Sequence, residues 1–171
     1  MTTMTGNQLT DDQLDRALGV VLASAAGDAL GAGYEFKPGW SGAPEPAMIG
    51  GGLGNFEPGE WTDDTTMAWA ILEPASRGLD LRTSEGLTAV ARNFITWARS
   101  GPADIGVQTS RLLSGLGADT PCDVLLERSR ALHEQSGRTA GNGSLMRTGV
   151  VALPTCTTRT RWPTRQRRWR G

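Results

Sequence analysis

The chain reads as an all-α protein, on three observations. Apolar residues recur at three- and four-residue spacing in one segment after another between Leu14 and Leu132. Those segments open on Thr, Ser or Asp and close near Gly or Pro, the residues that begin and end helices. No segment alternates apolar and polar side chains as a half-buried strand would.

Residues 1–9 are polar and expected to be disordered. Thr10 with Gln13 three residues on fits a capping box. Leu14, Leu18, Val21, Leu22 and Ala25 then share one helical face. The run Ala23-Ser24-Ala25-Ala26-Gly27 is small enough to let neighbours come close, so this helix is expected to be central. Asp28 follows among apolar residues. A buried carboxylate needs hydrogen-bond donors, and its expected task is to tie down a neighbouring loop.

Residues 31–60 form a long connection rich in Gly and Pro, a length usual for functional or disordered loops. Glu35 stands just after the first helix. Gly50-Gly51-Gly52-Leu53-Gly54 invites a phosphate-loop reading, but no GxGxxG register fits and no Gly-Lys-Ser/Thr follows. A flexible approach to the next segment is expected instead.

That segment is Trp61-Thr62-Asp63-Asp64-Thr65-Thr66-Met67. Thr62 fits an N-cap, with Asp63 and Asp64 in a first turn where negative charge suits the helix dipole. The same side chains are oxygen donors of the kind that hard cations prefer. Adjacent carboxylates can face one way only at a loop-to-helix junction, which is where these stand. Taken alone, the stretch favours the helix-start reading.

Met67, Ile71 and Leu72 continue a helix that Pro74 is expected to kink or end. Thr83-Ser84 caps the next, with Leu87, Val90, Ala91, Phe94, Ile95 and Trp97 as its apolar residues, up to Ser100-Gly101-Pro102. Asp104-Ile105-Gly106 is expected to open a short helix carrying Val107, Leu112, Leu113 and Leu116, with Asp104 as a candidate N-cap. Thr120-Pro121 reads as N-cap plus proline at the first helical position. Ser136 to Ser144 is a second Gly-rich polar loop. Its Gly141-Asn142-Gly143-Ser144 fits either an ordinary Asn-Gly turn or a backbone cradle for phosphate or ribose.

Charge is distributed unevenly. Up to residue 156, eleven cationic side chains stand against all eighteen acids, a net of −7; residues 157–171 hold six Arg and no acid. The stretch 155–171 has no apolar periodicity and no aliphatic residue. We expect it to be out-of-frame translation after Leu153, or a tail foreign to the fold, so that 10–154 would be the N-terminal part of a longer domain, truncated here. Binding of nucleic acid by the basic arm ranks last, because the arm has no scaffold and the body is acidic. The chain has one histidine, His133, and two cysteines, Cys122 and Cys156, without a CxxC. This excludes a His-rich metal cluster, and neither a zinc knuckle nor a disulfide framework is suggested. No apolar stretch is judged long enough to cross a membrane, and no signal sequence is seen, so a cytoplasmic location is expected.

Four stretches agree in order and spacing with one family. They are Ala26-Gly27-Asp28-Ala29-Leu30-Gly31 with Glu35-Phe36, Trp61 to Thr65, Asp104-Ile105-Gly106, and Gly141-Asn142-Gly143-Ser144-Leu145-Met146-Arg147. From about Asp15 to Leu153 the chain resembles the ADP-ribosylglycohydrolases, of the bacterial ADP-ribosyl-dinitrogen reductase hydrolase type. The resemblance implies an all-α orthogonal helical bundle with a two-metal Mg²⁺ or Mn²⁺ site in a cleft. It implies Thr62, Asp63 and Asp64 as metal ligands, and Glu35 as a mobile-loop glutamate near the scissile ribose. It implies Asp104 near the ribose and metals, and Asn142, Gly143 and Ser144 around the diphosphate and ribose. The implied substrate is an ADP-ribosylated protein or an ADP-ribose-containing small molecule. The family's later Asp-x-Asp-Thr segment does not occur here. The expected outcome is half a metal cage, weak or absent hydrolase activity, and uncovered apolar surface at Leu112, Val124 or Val150. A non-catalytic ADP-ribose-binding or structural homologue is the alternative.

Overall fold

The computed structural model describes residues 9–38, 45–139 and 141–155. The expectations for residues 1–8 and 156–171, including the basic tail and Cys156, lie outside the described residues. Within them the chain is helical. The helices are α1 (Asp11–Gly31), α2 (Asp63–Ser76), α3 (Ser84–Arg99), α4 (Val107–Leu113), α5 (Cys122–Ser136) and the short α6 (Thr148–Val151). Tighter 3₁₀ turns lie at Ala32–Tyr34, Asn142–Arg147 and Leu153–Thr155. Among the described residues, extended pairing is limited to one isolated bridge between Gly51 and Phe56.

The hub is α2. It packs against α1, α3, α6 and the Asn142–Arg147 turn. Its Ala68 and Ile71 form a buried cluster with Val150 of α6, ringed by Val21, Leu72, Leu81, Val90, Phe94 and Leu153. Met67 of α2 and Ile95 of α3 are fully buried beside it. Burying an aliphatic side chain of this size stabilises by about 1.5–3 kcal/mol relative to leaving it exposed.

Several expected boundaries hold. Thr10 and Gln13 exchange the two bonds of a capping box, at 2.9 and 3.3 Å. The Thr83 hydroxyl accepts the Gly86 N–H at 3.1 Å. Others move. Asp104 is not a cap: α4 starts at Val107 with Gly106 before it, and Leu116 lies beyond its end. Pro121, not Thr120, precedes α5. The Thr120 hydroxyl donates to the Gly117 carbonyl instead, and the first N–H of α5, on Cys122, finds Thr88 of α3. Helix α2 runs through Pro74 to Ser76. Proline has no N–H, so the carbonyl of Ala70 four residues earlier loses its helical donor. Asn93 of α3 replaces it, donating to the Ala70 carbonyl at 3.1 Å and to Glu73 Oε2 at 3.0 Å.

The glycine run at 50–54 is not a flexible approach. Gly51 and Phe56 exchange both backbone bonds, at 2.7 and 2.9 Å. Gly50, Gly51 and Gly52 all have positive φ, a conformation costly to any residue with a Cβ. The turn lies against Ala32–Tyr34: a Cβ on Gly33 would collide with the Gly50 carbonyl, and one on Gly52 with the Ala32 carbonyl. The Tyr34 hydroxyl bridges both backbone groups of Ala47, accepting at 3.1 Å and donating at 3.2 Å.

Helix α1 is less central than expected. Leu14, Leu18 and Leu22 are 48%, 51% and 66% exposed, and only Ala29 is fully buried. Periodicity identifies an apolar face but not what covers it. Here α2 and α6 meet α1 around Val20, Val21, Ser24 and Ala25. Val124 is exposed as anticipated, whereas Val150 is buried in the core. The sequence reading also missed that Asp11–Tyr34 is long and apolar enough, by length and composition, to cross a membrane. Many of its apolar residues are Ala and Gly rather than a continuous aliphatic run, which is why it escaped notice.

Candidate active site

The site begins with Asp28. Near the end of α1, its carboxylate reaches across to the start of α2. Oδ2 accepts the backbone N–H groups of Thr62 at 2.9 Å and Thr65 at 3.0 Å, and the Thr65 hydroxyl at 2.6 Å. Oδ1 accepts the Thr62 hydroxyl at 2.7 Å. Thr62, the N-cap of α2, makes no capping bond with its own side chain. Asp28 thus supplies the cap from another helix, the tethering task read from the sequence.

With Thr62 and Thr65 pinned, Asp63 and Asp64 occupy the first turn of α2, half-buried, and both line a cleft of about 730 Å³. Glu35 and Asp104 line the same cleft. Glu35 arrives on the segment after the Ala32–Tyr34 turn, beside Phe36, which has a positive φ of 58°. Asp104 comes from the loop before α4, free to face the cleft because Gly106 takes the helix start. The same cleft is also lined by Gly141, Gly143, Ser144, Met146 and Arg147. Asn142 opens that 3₁₀ turn.

Crowded carboxylates raise one another's proton affinity. Asp63 is pushed up to about 6, by burial first and then by Asp104 and Asp64, with the Thr62 hydroxyl opposing. Asp64 is also pushed up to about 6, by burial and then by Asp28, Glu35 and Asp104, with Arg147 opposing. Glu35 is raised by burial, then by Asp104, Asp63 and Asp28. The protein therefore leaves much of this negative charge uncompensated.

Of the residues singled out from the sequence, Glu35, Asp63, Asp64, Asp104, Gly143 and Ser144 meet around this one cleft. Thr62 does not line it; it is 7% exposed and sits behind, its hydroxyl given to Asp28. The Asn142 side chain lies outside what is described. The donor set is all oxygen and negatively charged, which suits a hard divalent cation such as Mg²⁺ or Mn²⁺. Among the described residues, however, no three Asp, Glu, His or Cys side chains converge closely enough to hold one by themselves.

Two contributors were missed. Gln108 accepts the Gly141 N–H on its side-chain oxygen at 3.1 Å, fixing the start of the glycine-rich turn. Its only sequence signal is its place two residues after Asp104-Ile105-Gly106. Arg147 closes the Gly141–Arg147 motif, and nothing local in the sequence marks its role.

The family profile described as ADP-ribosylglycohydrolase matches residues 9–166. The chain is 33% identical to an ADP-ribosyl-[dinitrogen reductase] glycohydrolase of Rhodospirillum rubrum, over 82% of this chain and 45% of that protein. It is 34% identical to the ADP-ribosylarginine hydrolase Tri1 of Pseudomonas putida (strain GB-1), over 85% of this chain and 38% of that one. A solved structure titled ADP-ribosylglycohydrolase-related protein complex superposes with a TM-score of 0.54 at 30% identity, covering 84% of this chain and 44% of its own. The chain thus spans less than half the length of these relatives. A helical cleft with a carboxylate wall, a sequence profile matched over nearly the whole chain and a solved relative of the same fold lead to one conclusion: the chain belongs to the ADP-ribosylglycohydrolase family.

Proposed function

We propose that the chain carries the working wall of a Mg²⁺- or Mn²⁺-dependent hydrolase that releases ADP-ribose from a modified protein side chain. One observation carries this reading: four carboxylates, Glu35, Asp63, Asp64 and Asp104, line one cleft together with a glycine-rich turn. The substrate class follows from the relatives, two of which are named for ADP-ribosylarginine and ADP-ribosyl-dinitrogen reductase.

Asp63 and Asp64 would hold the metal, with Thr62 behind them. A divalent cation bound there would supply Lewis-acid polarisation to ribose hydroxyls and to water. Glycosidic cleavage develops oxocarbenium-like positive charge on the sugar, and the carboxylate wall offsets it. Glu35 has its proton affinity raised by burial and by the neighbouring carboxylates, which makes it a stronger base toward a proton of the attacking water. Asp104 stands by as a second acid on the same wall. Asn142, Gly143 and Ser144 would receive the diphosphate and its ribose, with Gln108 keeping their turn in place.

The lack of a converging three-ligand group among the described residues favours weak metal binding. It also supports a second reading, an ADP-ribose binder without turnover. The test is incubation with an ADP-ribosylarginine substrate and Mg²⁺, with released ADP-ribose followed by chromatography and binding by calorimetry. Release supports the hydrolase; binding without release supports the second reading; absence of both overturns both.

A further inference from the structure

Among the described residues, Arg147 is the one cationic side chain lining the acidic cleft. It is half-buried, and three elements meet on it. Its guanidinium lies over the Phe94 ring of α3, 5.5 Å from the centroid. Its Nη1 donates to the carbonyl of Gly143 in the glycine-rich turn and approaches Met67 Sδ of α2 at 3.7 Å. It lines the same cleft as Asp63 and Asp64 and lies within electrostatic reach of both, although no described carboxylate ion-pairs with it directly. A planar, always-charged group that stacks on an aromatic face suits such a place better than an ammonium would.

We propose that Arg147 is a positioning residue, an internal counter-cation for the Asp63–Asp64 turn that also holds the Asn142–Arg147 turn at a set distance from it. In the metal-free protein its charge partly balances the wall. A divalent ion entering at Asp63 and Asp64 would compete with that fixed charge. This second part rests on the hydrolase reading above; the first part does not.

The experiment is a double-mutant cycle on the full chain in EDTA, comparing wild type, Arg147→Met, Asp64→Asn and the double variant by thermal unfolding. Arg147→Met is expected to lower the melting temperature, and the loss is expected to shrink by about half or more in the Asp64→Asn background. Losses that simply add would overturn the proposal. If Arg147→Met alone does not fold, the double variant decides: folding supports the counter-charge role, and failure to fold overturns it. In a second arm, calorimetry with Mn²⁺ alone is expected to show Arg147→Met binding about 3- to 10-fold tighter than wild type, with Arg147→Lys close to wild type. A folded Arg147→Met that binds Mn²⁺ more weakly overturns the counter-charge role, since a mere structural clamp would behave that way. Absence of Mn²⁺ binding in every form overturns the metal reading, and the EDTA cycle still judges Arg147.

Discussion

Asp28 Oδ2 takes both the backbone N–H and the hydroxyl of Thr65, at 3.0 and 2.6 Å, so one carboxylate on α1 sets the first turn of α2. Asp28→Ala is expected to leave partly buried donors on Thr62 and Thr65 without a partner, costing about 1–3 kcal/mol. Urea unfolding measures this. Stability unchanged within about 0.5 kcal/mol would mean that the cap is dispensable.

Asn93 and Pro74 should be energetically coupled. Asn93→Leu removes the donor to the buried Ala70 carbonyl, with an expected loss of about 1–3 kcal/mol. In a Pro74→Ala background, residue 74 regains an N–H that can serve Ala70, so the loss should be smaller. Equal losses in both backgrounds would refute the explanation given for the unbroken helix.

Stability should depend on pH through Asp63 and Asp64. Both are raised from 3.8 to about 6 in the folded protein. The folded state therefore binds more protons than the unfolded chain between those values, and this contribution to stability is lost as pH rises from about 4 through about 6. Asp63→Asn/Asp64→Asn should match wild type near pH 4 in EDTA and melt higher above pH 7. A melting difference that stays flat across this range would contradict the raised values.

On the proposed hydrolase reading, Glu35→Gln is expected to lower release of ADP-ribose about 100-fold or more. It should leave ADP-ribose affinity within about 3-fold, because the turn at Gly143 and Ser144 is untouched. A comparable loss of binding would move Glu35 from proton transfer to substrate recognition.

How much of this could be read from the sequence depends on the range of the interaction. Local signals were legible: the Thr10–Gln13 box, the Thr83 cap, and the carboxylates at the start of α2 all follow from spacing within one turn. Asp28 was legible as a buried acid in need of donors, though not which donors. The repair of Ala70 by Asn93 joins residues 23 positions apart, and Gln108 reaches Gly141 across 33. Neither has a local pattern to betray it. Asp104 was misjudged as a possible cap because an acid before a helix reads the same way whether it faces the backbone or a cleft.

The contact between Ala32–Gly33 and Gly50–Gly52 has a consequence for Glu35. Its segment is seated main chain against main chain, through carbonyls that leave no room for a methyl group. The reach of this glutamate into the cleft is therefore encoded in what those positions lack. A single added carbon atom at Gly33 or Gly52 has no space beside those carbonyls, so the turn that leads into Glu35 would have to shift to admit it.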